Sequence, residues 1–221
     1  MDSVTLEAMR KRHSVRAYTP RRIEDKVCAK LQTCIEQCNA ESGLRIQLVR
    51  DEPQAFSSFL AHYGKFRGVA NYLALVGKGE RLEERCGYYG QRIVLVAQDL
   101  GLNSCWVGFT YKKVKGAFEL GSGEKLCLVV ALGYGETQGK PHRTKLRKKV
   151  MSATEPVPEW FLAGVEAALL APTSMNSQNF MFSLEGDRVA AKVGWGFYSQ
   201  VDLGIVKYHF ELGAGENFRW V

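Results

Sequence analysis

The chain echoes itself. Laid over itself at an offset of 134 residues, Leu31 falls on Val165, Ile35 on Leu169, Cys38 on Pro172 and Ile46 on Phe180. Each copy reads as an extended lead-in, a helix, a turn and a strand, and the two patterns agree without a gap. Two such units in 221 residues predict one domain spanning 1–221. It would consist of two pseudo-symmetric halves, about 1–135 and 150–221, joined by a basic crossover. Helices mix with antiparallel-looking strands instead of alternating strictly with them. The expected fold is therefore α+β, a central and mainly antiparallel sheet flanked by helices with an internal pseudo-twofold repeat, and not a doubly wound one.

Periodicity places the elements. Residues 3–12 read as a short amphipathic helix. Glu24 to Cys38 carries apolar residues at helical spacing (Val27, Leu31, Cys34, Ile35, Cys38). Leu44 to Arg50 alternates as a half-buried strand, Pro53 to His62 reads as a helix and Val69 to Val76 as a strand. Leu82 to Leu100 is the longest helical run, with Gly101 as its cap. Leu126 to Leu132 is a buried strand ending at Gly133-Tyr134-Gly135. A polar crossover follows over 136–156. Pro158 to Leu170 is a helix, Phe180 to Leu184 and Arg188 to Val193 form a hairpin around Gly186-Asp187, and Val201 to Leu212 is a final helix stopped by Gly213.

Composition narrows the function classes. Hydrophobic content of 46% supports a substantial core. No stretch approaches the roughly 18 apolar residues of a membrane span. The start, MDSVTLEAMRKRH, has acids and no apolar segment of a signal peptide, so a cytoplasmic protein is expected. The six cysteines form no C-x-x-C pair, and the histidines give no zinc spacing, so no metal is expected. Cys34 and Cys38 share a helix face, poor geometry for a disulfide, which favours buried reduced thiols. The net charge of +7 attracts anions. Its densest run, Lys140 to Lys149 (KPHRTKLRKK), lacks the interleaved aromatics of a nucleic-acid surface. Ser-His-Asp order, a P-loop and paired catalytic carboxylates are absent. Gly133-Tyr134-Gly135 is not the Gly-x-Gly-x-x-Gly of a dinucleotide domain.

Two remote segments carry chemistry. Arg12-His13-Ser14-Val15-Arg16 sets two guanidinium forks, an imidazole and a hydroxyl within five residues, a match in charge and geometry for a phosphate monoester. Pro172-Thr173-Ser174-Met175-Asn176-Ser177-Gln178 sets hydroxyls and amides on a turn opened by proline. Those groups donate and accept at once, as the uracil-like edge of a flavin requires. Together they suggest one flavin mononucleotide (FMN) held at both ends.

The first segment resembles the Arg-Arg/His-Ser-x-Arg motif of the nitroreductase family. The second resembles that family's Pro-Ser-Ser-x-Asn-x-Gln-Pro-Trp, with Asn179-Phe180 in place of Pro-Trp. A third stretch, Leu100 to Gly108 (LGLNSCWVG), is similar to its LGLGTCWIG. The resemblance implies that Arg12 and Arg16 bind the phosphate, aided by Ser14 and His13. It implies that Pro172, Thr173, Ser174, Asn176 and Gln178 lie along the ring and ribityl chain. Trp106, Val107 and Gly108 would bring a backbone N–H to flavin N5. The loop holding Tyr63 and Gly64 would bring Lys65 or Arg67 to the N1–O2 edge. Arg143 and Lys145 resemble a second phosphate pair, with the order of the cations reversed. Family members are homodimers in which one subunit grips the phosphate and the other supplies the ring turn. Here one chain holds both. The turn of the first half, residues 38–44, lacks that chemistry. The expectation is a fused pseudo-dimer with one FMN per chain, monomeric, with weak dimerisation left open.

The implied activity is ping-pong hydride transfer from NAD(P)H to a small electron-poor acceptor such as a nitroaromatic or quinone. The flavin carries the chemistry, and no side chain is named as catalytic. Reductive dehalogenation or flavin fragmentation is an alternative, weakened because no long lid insertion occurs. A flavin-binding storage or redox-sensing protein without turnover is another, and a basic RNA-binding module a third.

Overall fold

The computed structural model describes residues 6–154 and 156–221. The helix expected from residue 3 is described from its fourth residue on, as α1 (Leu6–Lys11); its start lies outside the described residues. Helix α2 (Asp25–Ser42) runs a turn beyond its expected end. It stops at Gly43, whose φ of 68° suits a residue without Cβ and whose N–H closes on Asn39 O at 2.9 Å. Strand β1 (Arg45–Val49) follows. The helix expected over 53–62 is broken. Glu52 accepts from the N–H groups of Gln54 and Ala55, which nucleates a single tight turn, and a separate short α3 (Phe59–Tyr63) begins after Ser58. Strand β2 (Asn71–Gly77) is buried throughout, and α4 (Leu82–Asp99) leads to β3 (Asn103–Val107) and β4 (Lys125–Gly133). Past the crossover come β5 (Met151–Ser152), α5 (Glu159–Ala168), the hairpin β6 (Phe180–Glu185) and β7 (Arg188–Val193), α6 (Ser199–Ala214) and β8 (Arg219–Trp220). Gly213 does not stop α6. It lets α6 approach α5, because a Cβ there would meet Ala163 O and Ala167 Cβ at 2.6 Å.

The class is α+β, but in place of one central sheet there are two. The first, ordered β1-β2-β4-β3, is antiparallel throughout. The second, β5-β6-β7-β8, joins an antiparallel hairpin to a parallel strand on each side. The main core lies between α2, α4, α5 and α6 and the facing sides of both sheets, through Leu31, Ile35, Leu73, Leu75, Phe182 and Phe210. A second core covers the other face of the first sheet with Tyr18, Phe56 and Phe66. Among the described residues no helix is long and apolar enough to cross a membrane.

The order helix, strand, strand, helix occurs as α5-β6-β7-α6, and as α2-β1-β2-α4 with the short α3 set between the two strands. The sequence offset that relates α2 to α5 does not persist beyond the first strand. Residues 50–70 link β1 to β2, while two residues link β6 to β7. The helices after the hairpins meet in a reciprocal crossing. A Cβ on Gly87 of α4 would fall well inside contact with Val201 O of α6, and a Cβ on Gly204 of α6 would do the same to Glu84 O of α4. Placing Gly87 on Gly204 places Glu84 on Val201. It also places Arg81 on Tyr198, the residues preceding the two helices, and both are left-handed, at φ 51° and 57°.

Candidate functional site

The N-terminal strip is stitched into the molecule beside β3. Val15 N–H donates to Ser104 O at 3.0 Å, Arg67 N–H to Arg16 O at 3.0 Å and Glu136 N–H to Ala17 O at 2.9 Å. These bonds fix the strip along one wall of a cavity of about 340 Å³, within the range of small-molecule sites. Ser14 and Arg16 face it from this wall. Gly64 and Phe66 add a second side, Trp106, Val107, Gly108 and Phe109 a third, and Pro172, Thr173, Ser174 and Met175 a fourth. Val201, Asp202 and Ile205 of α6 close the floor with Tyr198. Segments far apart in the chain thus share one cleft.

The other residues singled out from the sequence lie near this cavity without lining it. Tyr63 is exposed on α3. Lys65 is exposed too, and Arg67 is paired with Glu136, so the cation that reaches the cavity is Arg16. Arg16 also stands over the Phe66 ring, 5.9 Å from its centre. His13 is half-buried; burial and the neighbouring Arg12 hold its pKa below the ordinary value. Asn176 and Gln178 turn away from the cavity. Asn176 Nδ2 donates to Arg143 O at 2.9 Å and Gln178 Nε2 to the same carbonyl at 2.7 Å. Gln178 Oε1 accepts from Lys145 N–H at 2.8 Å, and Lys145 Nζ donates to Gln178 O at 3.1 Å. The two amides therefore clip the turn to the crossover, and Arg143 and Lys145 form that clip while remaining exposed. The turn is strained: Met175, Asn176 and Gln178 have φ of 52°, 53° and 43°. Left-handed conformations of this kind cost about 1 kcal/mol or more each and persist where surrounding bonds over-determine them.

Arg12 lies behind the cavity wall. It is 2% exposed, and its Nε and Nη1 have no hydrogen-bond partner. Burial lowers its pKa to about 10, and no carboxylate offsets this. The Ser104 hydroxyl, also buried, is likewise unpartnered. Cys105, which lines the cavity, feels both Arg12 and Arg16. A buried guanidinium without an anion is costly, and an anion at this wall relieves the cost.

Sequence reading missed Asp202. Its two oxygens accept from Ser174 N–H at 2.9 and 3.0 Å, which ties the turn to α6. Burial pushes its carboxyl up to about 7, against the Ser174 N–H, which favours the ionised form. Tyr198 was also missed. Its ring occupies the space a Cβ would need at Gly108 and packs against Phe109, centres 4.9 Å apart. Behind Trp106 runs a buried relay. Trp106 Nε1–H donates to Gln91 Oε1 at 3.0 Å, Gln91 Nε2–H to His209 Nε2 at 2.8 Å and His209 Nδ1–H to Ala167 O at 3.0 Å. The carbonyl fixes the tautomer, and burial keeps His209 neutral, with its pKa pushed down to about 3. These residues lie singly on helices and carry no motif. The one available signal was a polar side chain on an otherwise apolar helix face.

The crossing of α4 and α6 has a second cleft on its other side, at the start of α4. There Glu84 accepts from Arg81 Nε at 2.8 Å and from Lys207 Nζ at 2.7 Å, Trp220 Nε1 donates to Glu211 at 2.7 Å, and Tyr88 bonds Glu211 as well. Among the described residues no group of His, Cys, Asp and Glu is placed to hold a metal.

The family described as "Putative TM nitroreductase" matches residues 4–214. The chain belongs to this nitroreductase family. Among solved structures it is similar to a "putative nitroreductase" of Thermotoga maritima, with a TM-score of 0.68 at 21% identity over 96% of this chain and 83% of the other. A nitroreductase family protein of Streptococcus pneumoniae gives 0.54 at 15% identity over 66% and 98%. A "putative nitroreductase" of Desulfovibrio desulfuricans, solved in complex with FMN, gives 0.53 at 20% identity over 72% and 99%. At these identities the likeness is one of fold. No curated protein matches the chain. As a nitroreductase-family chain it has a layered α+β fold, and its cavity lies where three of its motifs converge.

Proposed function

We propose that this chain is an FMN-dependent oxidoreductase that takes a hydride from NAD(P)H and passes it to a small electron-poor acceptor. The observation that carries this reading is the shared cleft: Ser14 and Arg16 on one wall, Pro172 to Ser174 on another, with Trp106 to Gly108 between them. The residues suit the cofactor. Arg16 and Ser14 offer a cation and a hydroxyl to a phosphate, and the unmatched charge of Arg12 stands directly behind them. The other end sets Thr173 and Ser174 beside Trp106, Val107 and Ile205. When bound, FMN supplies the hydride-accepting and hydride-donating centre.

The chain's own part is positional. Asp202 holds Ser174 by its N–H, and Asn176 and Gln178 hold the turn from outside. The Gln91–His209 relay fixes the Trp106 indole. Phe66, Val107 and Ile205 line the cavity with buried apolar surface, which strengthens electrostatic contacts within.

We further infer one flavin per chain in a monomer built as a pseudo-dimer. Support comes from the reciprocal crossing of Gly87 and Gly204, the contact pattern of a twofold interface, here within one chain. Further support comes from the second cleft, where Arg81 and Lys207 already occupy Glu84. The purified protein should be yellow, carry one flavin per chain, bleach with NADH or NADPH and recover with a quinone or nitroaromatic. A colourless protein that takes up no FMN would overturn the function; two flavins per chain would overturn the single site.

A further inference from the structure

Beside the cofactor cavity lies a smaller one of about 180 Å³, and four residues, Ser174, Met175, Phe197 and Asp202, line both. Its outer wall is the loop Gly194-Trp195-Gly196-Phe197. Trp195 is 95% exposed and Phe197 69%, opposite Met175 at 93%. Large apolar side chains clustered at one mouth mark a binding surface.

The loop is held in place. Gly194 N–H donates to Asn179 O at 2.9 Å, and Asn179 Nδ2 donates to Trp195 O at 3.3 Å. A Cβ at Gly194 would displace the Asn179 side chain from this contact. The indole is thus presented by an anchored backbone, with a glycine on each side leaving its faces bare.

The chemistry of the lining narrows the ligand. No lysine or arginine faces this cavity, so it does not suit a phosphate. Its polar groups are the Ser177 and Ser199 hydroxyls, the Asn179 amide and the Asp202 carboxyl, which suit the edge of a neutral ring. A cavity of about 150 Å³ holds a benzene, so this one takes a single ring and excludes a flavin or a whole dinucleotide. We propose that it is a stacking subsite for one neutral aromatic ring, held against Trp195 as it enters or leaves the cofactor cavity. This rests on the oxidoreductase reading, which supplies two sources for such a ring: the acceptor or the nicotinamide of the donor.

The test uses Trp195→Ala and Trp195→Phe in the flavin-loaded protein, with nitrobenzamide as acceptor. Stacking of this kind predicts a KM about five- to tenfold higher for nitrobenzamide in Trp195→Ala, with kcat and flavin content unchanged and with rescue by Trp195→Phe. A rise in KM for NAD(P)H instead supports the subsite and assigns it to the nicotinamide. Unchanged KM for both overturns it. Equilibrium dialysis of nitrobenzamide against native and Trp195→Ala protein reads the subsite without turnover. Equal binding to both also overturns the proposal. If the protein proves colourless, weaker dialysis binding in the variant keeps the subsite while the oxidoreductase reading falls.

Discussion

The two clefts beside the α4–α6 crossing sit at matching positions and solve opposite problems. At the start of α4, the Glu84 and Glu211 carboxylates are met by donors, while Arg85 bonds only backbone carbonyls and leaves its Nε without a partner. Arg81 and Lys207 share Glu84, Tyr88 and Trp220 share Glu211, and Lys207 lies over the Trp220 ring, 5.1 Å from its centre. Around the cavity at the start of α6, Asp202 lacks a cation, four aromatic or thioether side chains face outward, and Arg12 behind the wall leaves Nε and Nη1 without acceptors. In the first of these clefts the carboxylates meet cations or donors; in the second the Asp202 carboxyl meets only a backbone N–H. Unmatched polar groups in a well-packed chain point to a ligand more directly than cavity size does, since the two clefts are similar in volume, about 340 and 320 Å³.

The largest test strikes what both clefts share. Gly204→Ala should destabilise the fold by about 3 kcal/mol or more, because the new methyl would collide with a helix backbone that cannot yield like a side chain. Gly87→Ala should match it, and urea unfolding of the pair checks the reciprocity. A mild effect at one of them would break the equivalence of the clefts.

Arg12→Met should divide ligand binding from stability. Flavin affinity should fall at least about tenfold, since a charge-assisted contact contributes about 1.5–3 kcal/mol. The flavin-free protein should melt at a higher temperature, because a buried unpaired charge is gone. Dialysis and thermal melts of stripped protein give both readings; undiminished flavin binding with a lower melting point would contradict the assignment.

Glu84→Gln strikes the ion-paired cleft. It should cost about 1–3 kcal/mol by leaving Lys207 without its anion, and should not alter flavin content. Burial alone would raise the Glu84 carboxyl, but hydrogen bonds from Arg81 and Lys207 outweigh it and hold the pKa below the ordinary value. Glu84 therefore stabilises the fold above the usual carboxylate range and loses that effect as pH falls, a loss the variant should not show.

Asp202→Asn is the smallest and has the opposite sign. The folded protein retains a proton on Asp202 between 3.8 and about 7, so stability falls as pH rises across that window and levels above it. Asparagine still accepts from Ser174 N–H without the ionised form, and should raise stability at pH 8 by about 1 kcal/mol after allowance for water in the cleft. Melting curves from pH 4 to pH 8 compare the two slopes.

The sequence was most informative where function is written in contiguous residues. The 12–16 strip, the 100–108 stretch and the turn opened by Pro172 were visible as motifs, and Ser14, Arg16, Gly64, Trp106, Val107, Gly108, Pro172, Thr173 and Ser174 meet in one cavity. It was least informative about direction. The resemblance implies Asn176 and Gln178 along the ring and ribityl chain; with left-handed φ values at 175, 176 and 178, both amides bond the crossover at Arg143 O. Gly213 looked like a helix stop, yet in α6 it serves close packing on α5. Asp202 and His209 were hidden because each is one polar residue on a buried helix, and what they do depends on partners remote in sequence.

That α4 and α6 cross within one polypeptide has an evolutionary consequence. In a symmetric pair of identical chains, any substitution is copied into both interfacial hollows, so neither can change alone. A single polypeptide whose helices cross at Gly87 and Gly204 escapes that constraint. Each mutation lands once, and one hollow is free to gain an ion-paired carboxylate such as Glu84 without imposing it on the other.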